Sequence, residues 1–332
     1  MSLRILQPGI QTTLQDLGRW GNQHLGVPVS GAMDDFAAAM ANLLVGNDEN
    51  AACLEFVMSN AGFTVEEDCL LAFCGRGTEV WADAENIPLW RSCLVKAGTE
   101  IKIRPVSRGY RTYLAVAGGF HVLPVMNSRS TYEPAQLGGL AGRALQPNDK
   151  LLVEPTASAI SFHMMDALAR ENRNLAVSHW SVDFKTPPDY TRDFIRMVKG
   201  PEWDWFTEEA QDRFFACGFT LSVQSNRMGF RMLGKPLSFK NQSELISTAV
   251  CKGSLQVTND SSLILLMSDC QTTGGYPRIA QTAAVDLPVC AQLRPNDTIA
   301  FTEISSVEAE NLYLERELEL RQVKQNIELI FS

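Results

Sequence analysis

Short apolar runs closed off by Gly, Pro, Asn and Asp dominate the chain, and that rhythm predicts strands rather than helices. In the first half the runs Cys69–Cys74, Leu94–Ile103, Arg111–Ala117 and Lys150–Glu154 read as strands. In the second half Phe194–Val198, Phe219–Gln224, Ser254–Val257, Leu263–Met267 and Thr298–Thr302 read the same way. Helical spacing is clear in only three places. Ala32–Val45 sets Phe36, Met40, Leu43 and Leu44 on one face, with Asp34 and Asp35 in its first turn and Gly46 just past its end. Thr207 suits the N-cap of a helix over Glu208–Ala216 that stops at Gly218. Ser305-x-x-Glu308 is a capping box, opening a long helix to about Leu329. Leu312, Leu320, Val323 and Ile327 form its apolar stripe, and its six Glu against three basic residues read as a solvated face.

The strand pattern repeats weakly. Leu145-Gln-Pro-Asn-Asp149 returns as Leu293-Arg-Pro-Asn-Asp297, each directly before an apolar strand. Upstream of each, an apolar strand runs toward a double glycine, Gly118-Gly119 and Gly274-Gly275. Two related β units follow, each entering a strand through a Pro-Asn-Asp turn. The expected boundaries are 1–154 for the first unit, with its helix near 32–45, and 194–332 for the second, with the C-terminal helix at 306–329. Residues 155–193, which carry Pro187-Pro188, read as the connector.

Composition adds bounds. The 332 residues are 45% apolar and 20% charged, enough for two cores at about 150 residues per domain. A net charge of −9 argues against a nucleic-acid partner or an anionic-membrane surface, since both need a basic face. Eight cysteines without a C-x-x-C read as reduced, mostly buried thiols. Arg4, Gln7 and Pro8 interrupt the run that a signal peptide needs, and no apolar run approaches the ~20 residues of a membrane span. The expectation is a soluble, cytoplasmic chain with no resident metal.

Three polar, glycine-punctuated segments carry the candidate chemistry. The first runs from Pro8 to Gly21 and on to Asp34, and offers Gln11, Gln15, Asp16 and Arg19 for substrate or phosphate contacts. Its alternative is a long capped loop in which Asp16 pairs with Arg19. The second, Ser225-Asn226-Arg227-Met228-Gly229, suits an anionic or carbonyl oxygen. Its alternative is a hairpin turn with Asn226 at positive φ and Arg227 in solvent. The third, Asp269 to Pro277, gathers Gln271, Thr272 and Thr273 beside paired glycines, a workable cradle for ligand oxygens. A P-loop, a helix-opening G-x-G-x-x-G, an H-E-x-x-H, a serine nucleophile elbow and a biotin-acceptor turn are all absent; Gly75-Arg76-Gly77 stands alone. His24, His121, His163 and His179 are scattered.

In this order the segments resemble one family: allophanate hydrolase subunit 2, KipA-like proteins and the C subunit of 5-oxoprolinase, also described as biotin-dependent carboxyltransferase-like. The resemblance is carried by Gly9-Ile-Gln-Thr-Thr-Leu-Gln-Asp-Leu-Gly-Arg19, Ser30-Gly-Ala-Met-Asp34 and Ala41-Asn-Leu-Leu-Val-Gly-Asn47. Tyr113-Leu-Ala-Val-Ala-Gly-Gly119, Ser128-Arg-Ser-Thr131, Gly138-Gly139, Gly200-Pro201, Ser225–Gly229 and Gln271–Pro277 extend it over nearly the whole chain. It implies a mainly β fold of two cyclophilin-like barrel units plus a C-terminal helix.

It also implies work with partners, the KipI-like B subunit and the A subunit of 5-oxoprolinase, in ATP-dependent hydrolysis of 5-oxoproline to glutamate. Mg would arrive with the ATP, and no biotin is attached to this chain. On that reading Asp16, Arg227 and Asp269 are the catalytic candidates, and Gln11, Arg19, Ser225, Asn226, Gln271, Thr272 and Thr273 bind substrate or phosphate. Two other functions share the resemblance: biotin-dependent carboxyl transfer to urea or a related amide, and a non-enzymatic KipA-like regulator that binds a KipI-like kinase inhibitor.

Overall fold

A computed structural model describes residues 1–183, 186–241 and 245–331, so residues 184 and 185 of the expected connector lie outside the described residues. The chain divides into two compact units. The first comprises Met1–Arg19, Ser30–Pro187 and Leu318–Ser332; the second comprises Trp20–Val29 and Pro188–Glu317. These bounds differ from the sequence-based ones at three places. Trp20–Val29 groups with the second unit, most of the expected connector groups with the first, and so does the end of the C-terminal helix.

The first unit is built on two six-stranded antiparallel sheets. One runs in the order Lys150–Leu152, Ser2–Gln7, Ala61–Val65, Glu100–Pro105, Thr78–Ala82, Glu85–Ile87. The other runs Leu175–Val177, Ser92–Val95, Cys69–Arg76, Arg111–Val116, Cys53–Val57, Thr12–Gln15. Leu3, Ile5, Phe63 and Ile101 from the first sheet meet Leu54, Phe56, Leu71, Phe73 and Leu114 from the second in one core. The opposite face of the second sheet, with Cys53, Leu70, Ala72, Cys74 and Ala115, is covered by helices α1 (Asp35–Leu44) and α2 (Ala159–Ala169). A sheet buried on both faces has no polar alternation, which is why Cys69–Arg76 and Arg111–Val116 read as nearly unbroken apolar runs.

Local chemistry explains the ends of these elements. Asp34 caps α1 by accepting a hydrogen bond from Ala37 N at 2.9 Å, so it precedes the first turn rather than lying within it. The apolar stretch Leu94–Ile103 is two strands, not one. Gly98 at φ +84° turns the chain between them and sends them into different sheets. Helix α2 lies in the expected connector, where weak periodicity hid it.

In the second unit seven strands close a barrel. Their order is Phe194–Lys199, Arg278–Thr282, Ser254–Val257, Leu263–Leu266, Gly229–Leu233, Phe219–Leu221 and Thr298–Glu303, the last pairing in parallel with the first. Helix α3 (Glu208–Ala216), capped by Thr207, places Phe214 against Phe301 at 4.9 Å between ring centroids, and Phe219 stacks on Phe301 at 5.3 Å. The short α4 (Leu287–Ala291) follows.

The Pro-Asn-Asp repeat is one turn built twice. Asn148 and Asn296 both take positive φ (+69° and +75°), and each donates its N–H at 2.7 Å to a strand carbonyl, Ile5 O and Leu221 O. Asp149 accepts from Gln146 N at 2.7 Å, as Asp297 accepts from Arg294 N at 2.8 Å. The double glycines do not correspond. Gly118 and Gly119 are at positive φ, whereas Gly274 lies in the short strand Thr273–Gly274.

The last helix, α5, spans Ser306–Phe331 and opens with the expected box. Ser305 Oγ accepts from Glu308 N, and Glu308 Oε2 accepts from Ser305 N at 2.8 Å. Within the first unit Val323 and Ile327 enter the core beside α1 and α2, with Leu320 packed against it.

Candidate functional site

In the first unit Asp16 follows directly on the strand Thr12–Gln15, and it does not pair with Arg19. Its carboxylate accepts from Gly18 N and Ser128 Oγ at 2.9 and 2.8 Å, and also from Ser130 Oγ and Arg129 N. Arg19 is fully buried and donates to the carbonyls of Val125 at 3.0 Å and Ser130 at 2.8 Å. The two side chains therefore hold the same segment, Ser128–Thr131, from opposite charge. Gly138 and Gly139 lie on it so closely that a Cβ at Gly138 would fall 2.1 Å from Ser130 O. Gln11 donates to Glu133 Oε2 at 2.6 Å. His24 is exposed in a short turn, Gln23–Leu25, of the second unit.

A buried polar network beside these residues was not read from sequence. Glu55, on the strand Cys53–Val57, accepts from Tyr113 Oη at 2.7 Å and from Met33 N at 2.9 Å, with Arg111 Nε 3.6 Å away. Burial, with Glu55 and Asp34 close by, pushes the Tyr113 phenol up, so it stays protonated and donates. The available signal was the set of polar side chains spaced by two in strands whose other inward residues are apolar.

In the second unit Arg227 and Asp269 form a buried pair. Nε meets Oδ2 at 2.9 Å and Nη2 meets Oδ1 at 3.2 Å, with Asp269 N donating to Arg227 O at 2.9 Å. Arg227 is thus not in solvent. The turn beside it is set by Asn226, whose Oδ1 accepts from Met228 N at 2.8 Å and Gly229 N at 3.3 Å without a positive φ. Ser225 Oγ accepts from Arg231 N at 3.1 Å.

Asp269 anchors the loop that follows it. Thr273–Gly274 pairs with Thr248–Ala249, and Val250 N donates to Thr272 O at 3.0 Å. Gln271 and Thr272 are half-buried and Thr273 is exposed, and none of the three side chains hydrogen-bonds to a described residue. Of the sequence-predicted residues in this unit, the fold joins Arg227 to Asp269 and gives the side chains of Gln271, Thr272 and Thr273 no hydrogen-bond partner among the described residues. Ser225 and Asn226 serve the turn. Among the described residues no three His, Cys, Asp or Glu side chains are placed to hold a metal ion, and no helix is long and apolar enough to cross a membrane.

Comparison with known proteins places this architecture. Residues 25–303 match the family described as carboxyltransferase domain, subdomain A and B. The chain is 36% identical over 308 residues to the 5-oxoprolinase C subunit of Escherichia coli, covering 92% of this chain and 93% of that one. It is 34% identical to the 5-oxoprolinase C subunit of Haemophilus influenzae, covering 98% of both. Among solved structures, the K. lactis urea amidolyase superposes with a TM-score of 0.87 at 25% identity, over 97% of this chain but only 20% of that larger chain. The chain belongs to the carboxyltransferase domain family, in which it is similar along its length to these 5-oxoprolinase C subunits.

Proposed function

We propose that the chain is a subunit of an ATP-dependent 5-oxoprolinase, working with a KipI-like B subunit and with an A subunit to hydrolyse 5-oxoproline to glutamate. The observation that carries this reading is the loop behind the Arg227–Asp269 pair: a buried ion pair holds it, while the side chains of Gln271, Thr272 and Thr273 make no hydrogen bond to a described residue, which suits them to a ligand. A lactam is a poor electrophile and its oxygen a weak nucleophile. Activating it with ATP requires holding that oxygen near a phosphoryl donor while charge is stabilised. Neutral amide and hydroxyl donors suit the lactam oxygen, and they also accept from its N–H.

On this reading Arg227 and Asp269 are positioning residues, because their charged groups face each other rather than a ligand. Asp16 and Arg19 likewise hold Ser128–Thr131 in place. ATP with its Mg belongs to the assembled enzyme, in the absence of a P-loop in this chain. Similarity to 5-oxoprolinase C subunits over almost the whole length supports the assignment.

The test is co-purification with the partner subunits, followed by ATP hydrolysis with 5-oxoproline or urea. Hydrolysis dependent on 5-oxoproline, reduced about tenfold or more by Gln271→Ala or Thr272→Val, is expected. Avidin-sensitive turnover with urea would favour the second reading, biotin-dependent carboxyl transfer, which the likeness to the urea amidolyase supports.

A further inference from the structure

The isolated Gly75-Arg76-Gly77 motif ends the strand Cys69–Arg76. Leu70, Ala72 and Cys74 of that strand point to the helix-covered face, so Arg76 belongs to the same face. Its register partner is Arg111, on the face of Tyr113 and Ala115. Two guanidinium groups directly across a sheet repel one another. Glu55, the carboxylate ion-paired with Arg111, lies 3.6 Å from its Nε, and the Arg111 guanidinium stacks 4.9 Å from the Tyr110 ring. Arg76 has no hydrogen bond or ion pair to any described residue, and neither has Arg108.

The backbone is built to bring them together. Gly75 and Gly77 sit at φ +106° and +121°, and a Cβ on Gly77 would fall 2.8 Å from Gly109 C and Tyr110 N. A Cβ on Gly109 (φ +82°) would fall 2.4 Å from Arg76 Cγ, so the Arg76 stem lies across the residue that follows Arg108. Nearby charges are otherwise engaged: Lys102 pairs with Glu100 at 3.4 Å, and Arg104 lies over the Trp81 ring. Glu79 is opposite Arg104 in register, in the other sheet. In a chain of net charge −9, Arg76 thus stands opposite Arg111 and beside the turn that carries Arg108, while the buried Glu55 carboxylate is paired with Arg111.

We propose that Arg76 and Arg108, backed by Arg111, form a binding site for the oxyanion of a small molecule, a phosphate or a carboxylate. Each guanidinium presents a planar fork that matches such oxygens, and a bound anion removes the Arg76–Arg111 repulsion. The site stands independently of the reaction proposed above.

The chain is titrated by calorimetry and thermal shift, at constant ionic strength, with pyrophosphate and with 5-oxoproline, and with uncharged 2-pyrrolidinone as control. One of the two anions is expected to bind and raise Tm, and 2-pyrrolidinone is not. Pyrophosphate binding that Arg76→Gln weakens identifies a polyphosphate site, and 5-oxoproline binding that Arg76→Gln weakens but Gln271→Ala does not identifies a carboxylate site. Arg76→Gln and Arg108→Gln should each weaken binding about tenfold, and Arg104→Gln by no more than about twofold. Without ligand, Arg76→Gln should keep or raise Tm, which separates lost binding from lost folding. Binding of neither anion, or equal binding by Arg76→Gln and the parent chain, overturns the proposal.

Discussion

Arg227 and Asp269, 42 residues apart in sequence, face each other in a two-pronged, buried ion pair. A guanidinium and a carboxylate taken out of water survive only because each satisfies the other. That mutual dependence makes the pair a sensitive handle on the loop that starts at Asp269.

Arg227→Ala is expected to destabilise the second unit by about 3–5 kcal/mol, because it strands a buried carboxylate. Replacing both residues by apolar side chains of similar size should cost less than the single change. Urea denaturation of the four variants of a double-mutant cycle measures this. A cost for Arg227→Ala within about 0.5 kcal/mol of zero would refute the dependence.

Asp16→Ala removes the acceptor shared by Ser128, Ser130, Gly18 and Arg129. A loss of about 2 kcal/mol or more is expected, since buried donors go unsatisfied. Asp16→Asn keeps one acceptor oxygen and should lose less. Proteolysis near Ser128–Thr131 would rise in the Ala variant first.

Thiol reagents should find one fast site. Cys251 is exposed and Cys217 half-buried, whereas the other six cysteines are buried. Burial pushes Cys93 and Cys270 up to about 12, with Cys251 and Asp269 adding to the effect at Cys270. Peptide mapping after brief alkylation near neutral pH should recover Cys251, and Cys251→Ser should remove the fast phase. Rapid labelling of Cys93 in the folded chain would contradict this.

The same thiols set an alkaline limit. Their folded values lie above the ordinary 9.0, so the stability they contribute is complete below about 9 and is lost as pH rises toward about 12. Glu66 sets an acid limit of opposite sign. Hydrogen bonds from Lys150, Ser2 and Arg4 lower it from 4.5 to about 2, so its contribution is complete above about 4.5 and falls away toward about 2. Thermal unfolding scans across both limits should show two declining limbs, and Glu66→Gln should flatten the acid one.

Ile327→Ala is expected to cost the first unit about 2–4 kcal/mol, because Ile327 is 2% exposed in the core beside α1 and α2. Leu329→Ala, two residues on and 78% exposed, should cost within about 0.5 kcal/mol of nothing. Equal effects would mean that the end of α5 does not pack as described.

Much of the local structure was legible. The Thr207 and Ser305 caps and the twin Pro-Asn-Asp turns were readable because each is a bond between a side chain and backbone three residues or fewer away. Helix α2 was not, because its burial is limited to Ser161, Met164 and Leu168 and its stripe is faint. The break in Leu94–Ile103 was missed because Ala97-Gly98 is a small interruption between two apolar stretches. Of the candidate site residues, Gln271, Thr272 and Thr273 were readable as spare polar groups in a turn. What Asp16, Arg19 and Arg227 do was not readable, since a charged side chain announces its chemistry but not its neighbour.

By itself the sequence determined that the chain is mainly β, where several of its strands lie, how α3 and α5 are capped, and that two similar turns recur. These follow from backbone dihedrals and short-range hydrogen bonds, which a few consecutive residues control. Only the tertiary structure decided that Asp16 meets Ser128 and Ser130 instead of Arg19, that Arg227 meets Asp269, and that Arg76 stands opposite Arg111. Those pairings span 35 to 114 residues and depend on sheet register and burial. Register is set by the packing of whole faces, so no local stretch encodes it.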